Sequence, residues 1–399
     1  MPNGNICQIM ESNFWEKLNK PFFVLAPMED VTDIAFRTLI AKYGKPDVMF
    51  TEFTSADGLL LADDEGKKKL MRKLSFTDAE HPIVAQLFTS VPEHMERAAA
   101  LVQEMGFDGL DINMGCPDRA VEKQGCGAAM IKNHELAREI IRAAKRGAPN
   151  IPVSVKTRAG YSRDEELDEW VRVLLEENIA ALTIHARTRK DMSKVPARWE
   201  LIQRAVEIRD EMGAGTLILG NGDVKDVENA KEKVKEAGCD GVMLGRAIYG
   251  NPWLFADFAH TRCGCKIEHP SQTLPLKKFQ RQNNNDKIQI AHATQSRNRP
   301  SDNRSECVAN SIICKVCGGH IVTPDAKIRA LIEHLDLFEK LLADTTNYAV
   351  MKKHFKAYIA GWPACRDERG AGREGAKELR MLLMDTKYAK EAIDILHTA

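Results

Sequence analysis

The chain has 399 residues, 57 Lys+Arg balanced by 57 Asp+Glu, with 44% apolar and 29% charged residues. That balance sustains a packed core and excludes wholesale disorder. Zero net charge excludes a uniformly basic nucleic-acid binder, though not a local basic patch.

No stretch approaches the ~20 apolar residues of a membrane helix. Met1–Lys20 mixes Asn, Glu and Lys, lacks the apolar run of a signal peptide, and is read as an N-terminal extension. A cytoplasmic protein with no membrane contact is expected. Cys7, Cys116, Cys126, Cys239 and Cys365 are scattered, as in a reducing compartment.

Over residues 21–260 one unit recurs: a short apolar, β-branched run, a small or polar end, then a helix-period stretch. The runs are Phe22–Ala26, Val48–Thr51, Ile83–Leu87, Gly109–Asn113, Val153–Lys156, Ala181–His185, Thr216–Gly220 and Gly241–Leu244. Amphipathic stretches lie between them, among them Glu93–Gly106, His134–Gly147, Glu165–Glu177 and Val224–Gly238. Near-continuous apolar strands suit a parallel sheet buried on both faces. Eight such units predict a (β/α)8 TIM barrel. A doubly wound sheet would need a Gly-rich fingerprint after the first strand, where Pro27-Met28-Glu29-Asp30 stands instead.

In a barrel, chemistry collects at the C-terminal ends of the strands. Those ends carry Pro27-Met28, Thr51-Glu52, Gln86, Asn113-Met114-Gly115-Cys116-Pro117, Lys156-Thr157-Arg158, His185-Ala186-Arg187, Gly220-Asn221-Gly222-Asp223 and Gly245-Arg246. Two glycine-bearing turns after the last two strands predict a phosphate site, with Arg246 adding charge. Lys156 and His185, on neighbouring strands, suit a flavin ring or its phosphate; a solvated lysine and a core histidine are the plain alternatives. Gln86 suits a ring carbonyl or imide, or is merely a polar rim residue. Cys116 can serve as nucleophile or, as a neutral thiol, as general acid; a buried structural cysteine is the alternative. Cys126, in a Gly/Ala-rich turn, reads as close packing.

Residues 261–324 are polar and aperiodic. They hold Cys263, Cys265, Cys307, Cys314 and Cys317, whose spacing fits a zinc knuckle poorly. No metal site is expected, and the segment reads as a poorly ordered or non-native insertion. Residues 325–399 return to helical periodicity and predict a small C-terminal helical domain.

These strings resemble the tRNA-dihydrouridine synthase family. The resemblance is carried by Leu25-Ala26-Pro27-Met28, Thr51-Glu52-Phe53, Gln86-Leu87-Phe88, Asp111 to Pro117, Val155 to Arg158, Ile184 to Arg189, Gly220 to Asp223, Gly245-Arg246-Ala247 and Lys352 to Tyr358. It implies an FMN-dependent barrel that uses NADPH or NADH to reduce uridines in tRNA to 5,6-dihydrouridine. By matching positions, Cys116 would be the proton donor. Pro27, Met28, Gln86, Lys156 and His185 would hold the flavin ring. Asn221, Gly222, Asp223, Gly245 and Arg246 would hold its phosphate end. Asn113 would orient uracil or flavin, and Arg187, Arg189, Lys352, Lys353 and Lys356 would contact tRNA. Ser193 stands where the family usually has an aromatic residue, and residues 262–323 replace a short link. The other readings are a small-molecule FMN ene or dihydropyrimidine reductase and a non-catalytic tRNA-binding module. A monomer is expected.

Overall fold

The apolar runs form eight parallel strands: β1 (Phe22–Leu25), β2 (Met49–Ser55), β3 (Ile83–Phe88), β4 (Gly109–Met114), β5 (Val153–Gly160), β6 (Ala181–Thr188), β7 (Leu217–Asn221) and β8 (Gly241–Leu244). They pair in the order β1-β8-β7-β6-β5-β4-β3-β2. A parallel bridge between Val24 and Val48 joins β1 to β2, so the ring closes as a (β/α)8 barrel. This computed structural model describes residues 13–256, 311–313, 320–362, 365–366, 372–373 and 375–398.

The helices outside the barrel are α1 (Ile34–Tyr43), α2 (Ala56–Leu61), α3 (Asp64–Lys73), α4 (Pro92–Glu104), α5 (Arg119–Lys123), α6 (His134–Gly147), α7 (Glu166–Glu176), α8 (Glu200–Met212) and α9 (Val227–Ala237). Their starts are written locally. Asp33 accepts from Phe36 N–H at 2.9 Å and Asp226 from Asn229 N–H at 2.8 Å, each satisfying an otherwise unpaired donor. Gly213 and Gly238 close α8 and α9 in the left-handed region, where other residues are strained.

Three strands outrun their apolar cores. β2, β5 and β6 continue to Ser55, Gly160 and Thr188. Their polar extensions find acceptors: Thr157 Oγ1 donates to Met114 O at 2.9 Å, and Arg158 Nε to Gly115 O at 2.8 Å. The pairing of β5 with β6 shifts register between Arg158 and Gly160.

Inside the barrel, Val24, Ala26, Phe50, Val84, Ala181, Leu219 and Met243 cluster with Phe22 and Val48. Trp15, only 1% exposed, joins this cluster, so residues 13–20 plug the core rather than merely preceding it.

The chain divides into two units, residues 1–257 with 327–399, and residues 258–326. Of the second unit, the described part includes the antiparallel pair Ser311–Ile313 and His320–Val322. The expected character of the 261–324 insertion, and its five cysteines, lie largely outside the described residues.

Helical segments follow at Pro324–Leu341, Lys352–Tyr358, Ala376–Asp385 and Ala389–Thr398. Phe36 of α1 stacks on His334 at 4.8 Å and meets His354 edge-on at 4.5 Å. Gly250 N–H donates to His354 Nδ1 at 3.1 Å. These rings bury against the barrel, which fixes the helices to α1 by packing rather than by surface charge alone.

Candidate active site

Strand periodicity places the site. Side chains alternate across a strand, so residues two apart share a face. Val84, Leu219 and Met243 pack in the barrel interior, and Gln86, Asn221 and Gly245 each follow by two. Parallel register then aligns neighbouring strands: Gln86 stands opposite Asp111, Asn113 opposite Lys156, and Arg158 opposite His185, which stands opposite Asn221. The interior face of five strands, β3 to β7, thus carries polar side chains at one end.

Cys116 lies just beyond β4 on a turn held by Asn113, whose Oδ1 accepts from Gly115 N–H at 3.1 Å and Cys116 N–H at 2.9 Å. The neighbouring turn supports it, because Ala128 N–H donates to Cys116 O at 3.0 Å. A Cβ on Gly127 would lie 2.6 Å from that same oxygen, so only glycine allows the two turns to close together. Burial pushes the Cys116 thiol above its ordinary value, and nearby Arg158 and Lys156 pull the other way without reversing it. The thiol therefore keeps its proton at neutral pH. Cys126 is fully buried against Phe88 and Val121, with its thiol pushed to about 11, as a packing residue should be.

Lys156 has no hydrogen-bond or ion-pair partner among the described residues, and burial with Arg158 lowers its pKa to about 8. His185 is held neutral by burial and by Arg158, Lys156, Arg187 and Arg246. Arg187 Nη1 lies 3.1 Å from His185 Nε2. A guanidinium can only donate, so Nε2 accepts and Nδ1 carries the hydrogen.

The two glycine turns lie beside these groups. Gly222 adopts φ 131°, open chiefly to glycine, and Asp223 follows at φ 52°. Trp199 Nε1 donates to Gly222 O at 3.1 Å, and Asn221 Nδ2 to Met243 O at 2.8 Å. Asp223 accepts from Arg246 Nη2 at 2.9 Å and also pairs with Arg187. Its carboxylate thus holds two guanidiniums in place. A Cβ on Gly245 would fill space beside Met28 Sδ at 3.6 Å and Ala26 Cβ at 3.7 Å. Met28 is itself fixed, its N–H donating to Thr32 Oγ1 at 2.9 Å.

Residues 24–302 match the family model described as "Dihydrouridine synthase (Dus)". The chain belongs to the dihydrouridine synthase family. A "Probable tRNA-dihydrouridine synthase" of Staphylococcus epidermidis strain RP62A is 36% identical over 390 residues, 98% of this chain and 97% of its own. A "Probable tRNA-dihydrouridine synthase 2" of Bacillus subtilis strain 168 is 46% identical over 246 residues, 62% of this chain and 74% of its own.

In this dihydrouridine synthase, several expected RNA contacts are engaged by protein. Arg187 is 2% exposed and donates to Val195 O at 2.6 Å, to His185 and to Asp223; it is an internal brace, not a surface contact. Arg189 is paired with Glu122, its Nε–H shared between the two carboxylate oxygens at 2.9 and 2.8 Å and its Nη2 donating to the same carboxylate. Lys352 donates to Met384 O at 2.7 Å, and Lys353 to Asp30 Oδ2 at 3.2 Å. His354, Phe355 and Tyr358 of the same helix are buried. Lys356 alone of the five is exposed without a partner among the described residues. The Lys352–Tyr358 motif therefore docks the helices on the barrel, which its lysine count disguised.

Three residues that the sequence reading named only within strand-end strings, without a role, belong to the site. Arg158 is 6% exposed and donates to Gly115, Thr188 and Met192 carbonyls, which binds the Cys116 turn to β6. Asp111 is fully buried behind Gln86. Glu52 is pushed to about 8 by burial and by Asp33. Interior parity would have found Arg158 and Asp111, but not Glu52, because the pairing of β2 with β3 shifts register between Phe50 and Phe53. Glu52 lines a cavity of about 420 Å³ with Asp33, Lys69, Arg72 and Lys353. Glu29, Asp30 and Glu52 are close enough to share a cation, but Lys73 and Lys353 already pair with the first two.

Proposed function

We propose that the protein is a tRNA-dihydrouridine synthase that reduces the C5–C6 double bond of uridine in tRNA, with FMN as cofactor and NADPH or NADH as reductant. The observation that carries this reading is Cys116: a protonated thiol on a braced turn at the strand ends, beside the unpaired Lys156. The names of relatives 36% and 46% identical to this chain supply the substrate class.

The residues fit a flavin phosphate. Lys156, Arg158, Arg187 and Arg246 all bear on His185, so this end of the barrel is cationic. An unpaired ammonium suits an electron-rich ring edge, and a neutral His185 retains an Nδ1–H to donate. The Gly222 and Gly245 turns with Arg246 suit the phosphate. Pro27, Met28 and Gln86 would flank the ring, with Asn221 shaping the turn and Asp223 fixing Arg246. Reduced FMN, when bound, supplies the hydride for C6.

The chain's own part is to hold and deliver a proton. Reduction at C6 builds enolate character at C5, so a donor must stand ready there. Cys116 Sγ carries that proton, because burial keeps it a thiol. Asn113 and Arg158 hold the turn on which it sits. The target base must leave the RNA fold to reach a recessed site. Lys356 and the helices after Pro324 would meet the RNA backbone. No helix among the described residues is long and apolar enough to cross a membrane, in keeping with a cytoplasmic enzyme.

The test is dihydrouridine formation on unmodified tRNA with NADPH. Cys116→Ala should keep the flavin absorbance and lower the rate about 10²–10⁴-fold, the usual loss of a general acid. Wild-type protein that reduces free uracil and leaves every tRNA unchanged would replace this reading with a small-molecule reductase.

A further inference from the structure

The turn that carries Cys116 is tied to a buried carboxylate through two side-chain amides. Asn113 Oδ1 accepts from two backbone N–H groups. Backbone N–H can only donate, so the amide orientation is forced and Nδ2 faces the other way. Asn113 Nδ2 donates to Gln86 Oε1 at 3.0 Å. Gln86 Nε2 is thereby turned outward as well, and donates to Asp111 Oδ2 at 2.7 Å. Asp111 Oδ1 closes the chain by accepting from Ser154 Oγ at 2.6 Å.

We propose that Asp111 is a positioning residue whose carboxylate fixes the direction of the hydrogen-bond chain through Gln86 and Asn113, and so holds the Cys116 turn. This inference rests on the reading of Cys116 as the proton donor.

Gln86 and Asp111 are fully buried, Ser154 is 2% exposed and Asn113 8%. Water has little access to replace a lost bond, so in this low-dielectric setting each link depends on the next. Only an acceptor at position 111 satisfies a chain that starts from backbone donors. An aliphatic side chain there offers no acceptor, so Gln86 Nε2 is left unpaired in a dry setting and Gln86 no longer holds Asn113 on the turn. An amide keeps the chain, because its oxygen accepts from Gln86 while its N–H donates to the Ser154 hydroxyl.

The same polarity sets what the site offers a ligand. Asn113 Oδ1 has both lone pairs engaged, so its remaining group is one N–H. Gln86 is fully buried, so of the two amides Asn113 is the one a ligand reaches. A planar ligand at these strand ends meets that donor and must bring an acceptor to it, such as a carbonyl oxygen.

The experiment alkylates flavin-free protein with iodoacetamide at pH 8 and quantifies the Cys116 peptide by mass spectrometry. Asp111→Leu should raise the rate about tenfold, because the turn is no longer held and the loosened thiol loses roughly one unit of its upward shift. Asp111→Asn is the matching control: its oxygen still accepts from Gln86 Nε2, so the alkylation rate should stay within about twofold of wild type. Turnover should divide the same way, with kcat on tRNA about 10–100-fold lower in Asp111→Leu and KM little changed. Gln86→Met breaks the same link one residue nearer the turn and should match Asp111→Leu in alkylation. Equal alkylation in wild type and Asp111→Leu overturns the proposal, as does an Asp111→Asn protein as reactive as Gln86→Met. Wild-type protein inactive on tRNA would instead refute the functional reading, while alkylation still judges Asp111.

Discussion

Gly220→Ala tests whether the phosphate turn is held by Trp199. A Cβ at Gly220 would lie 2.2 Å from Trp199 Cζ3 and 2.6 Å from Cη2. Carbon atoms rest about 3.5–4.0 Å apart, so the indole must withdraw by more than about 1 Å. It has no room to do so freely, being 2% exposed and bonded through Nε1 to Gly222 O. Overpacking of this kind costs about 1–3 kcal/mol, and loss of the indole bond about 1 kcal/mol more. The urea midpoint should fall by the equivalent of about 2–4 kcal/mol with an unchanged slope. Because the indole carries the Gly222 carbonyl, flavin should also be lost, read as the flavin-to-protein ratio after dialysis. Trp199→Phe separates the effects: it leaves Gly220 uncrowded and removes the donor together with part of the buried ring, with the unpaired Gly222 carbonyl alone costing about 1–3 kcal/mol. Gly220→Ala protein with a wild-type midpoint and full flavin content would refute the wedge.

Flavin affinity should fall as pH rises through about 8, where Lys156 loses its proton and the cation that attracts the ring edge. Lys156→Met should bind more weakly with no such dependence, by fluorescence titration between pH 7 and 9. Arg37 and Glu80 form an ion pair with both side chains fully buried. Glu80→Gln strands the guanidinium and should destabilise by about 3–5 kcal/mol in urea, whereas Arg37→Met with Glu80→Leu recovers most of the loss. His354 is pushed to about 3 by burial and by Lys353. The neutral ring is favoured in the fold, so its contribution is complete above its unfolded value near 6.5 and is lost as pH falls towards 3, by about 1.4 kcal/mol per pH unit. His354→Asn can still accept from Gly250 N–H without titrating. The stability gap between wild type and this variant should therefore shrink from pH 7 to pH 4 by thermal unfolding, and parallel curves would refute the assignment.

The barrel was legible because its signal is local and repeated. Val84-Ala85-Gln86-Leu87 or Leu110-Asp111-Ile112-Asn113 reads as a buried strand without reference to any partner. Strand ends were less legible. β5 and β6 run on through Arg158 and Arg187, where the residue types say loop and the chain says strand, because carbonyls of other segments satisfy both guanidiniums. Trp15 likewise gave no local sign that it closes the barrel core.

Site residues divide the same way. Cys116, Lys156 and His185 could be picked by type and strand-end position, since a parallel barrel points them to one mouth. Partnership is another matter, because it is settled by residues distant in sequence. Lys353 reads as an RNA contact until Asp30 stands 3.2 Å away, and Arg187 reads as one until Asp223 and Val195 enclose it. Charge in a sequence counts cations, whereas a binding surface consists of the cations left over after the fold has paired the rest. In the Lys352–Tyr358 helix that remainder is Lys356, while the residues between the lysines, His354, Phe355 and Tyr358, are the ones that attach the helix to the barrel. The motif is therefore explained first by docking, and any role in RNA recognition follows from where docking leaves Lys356.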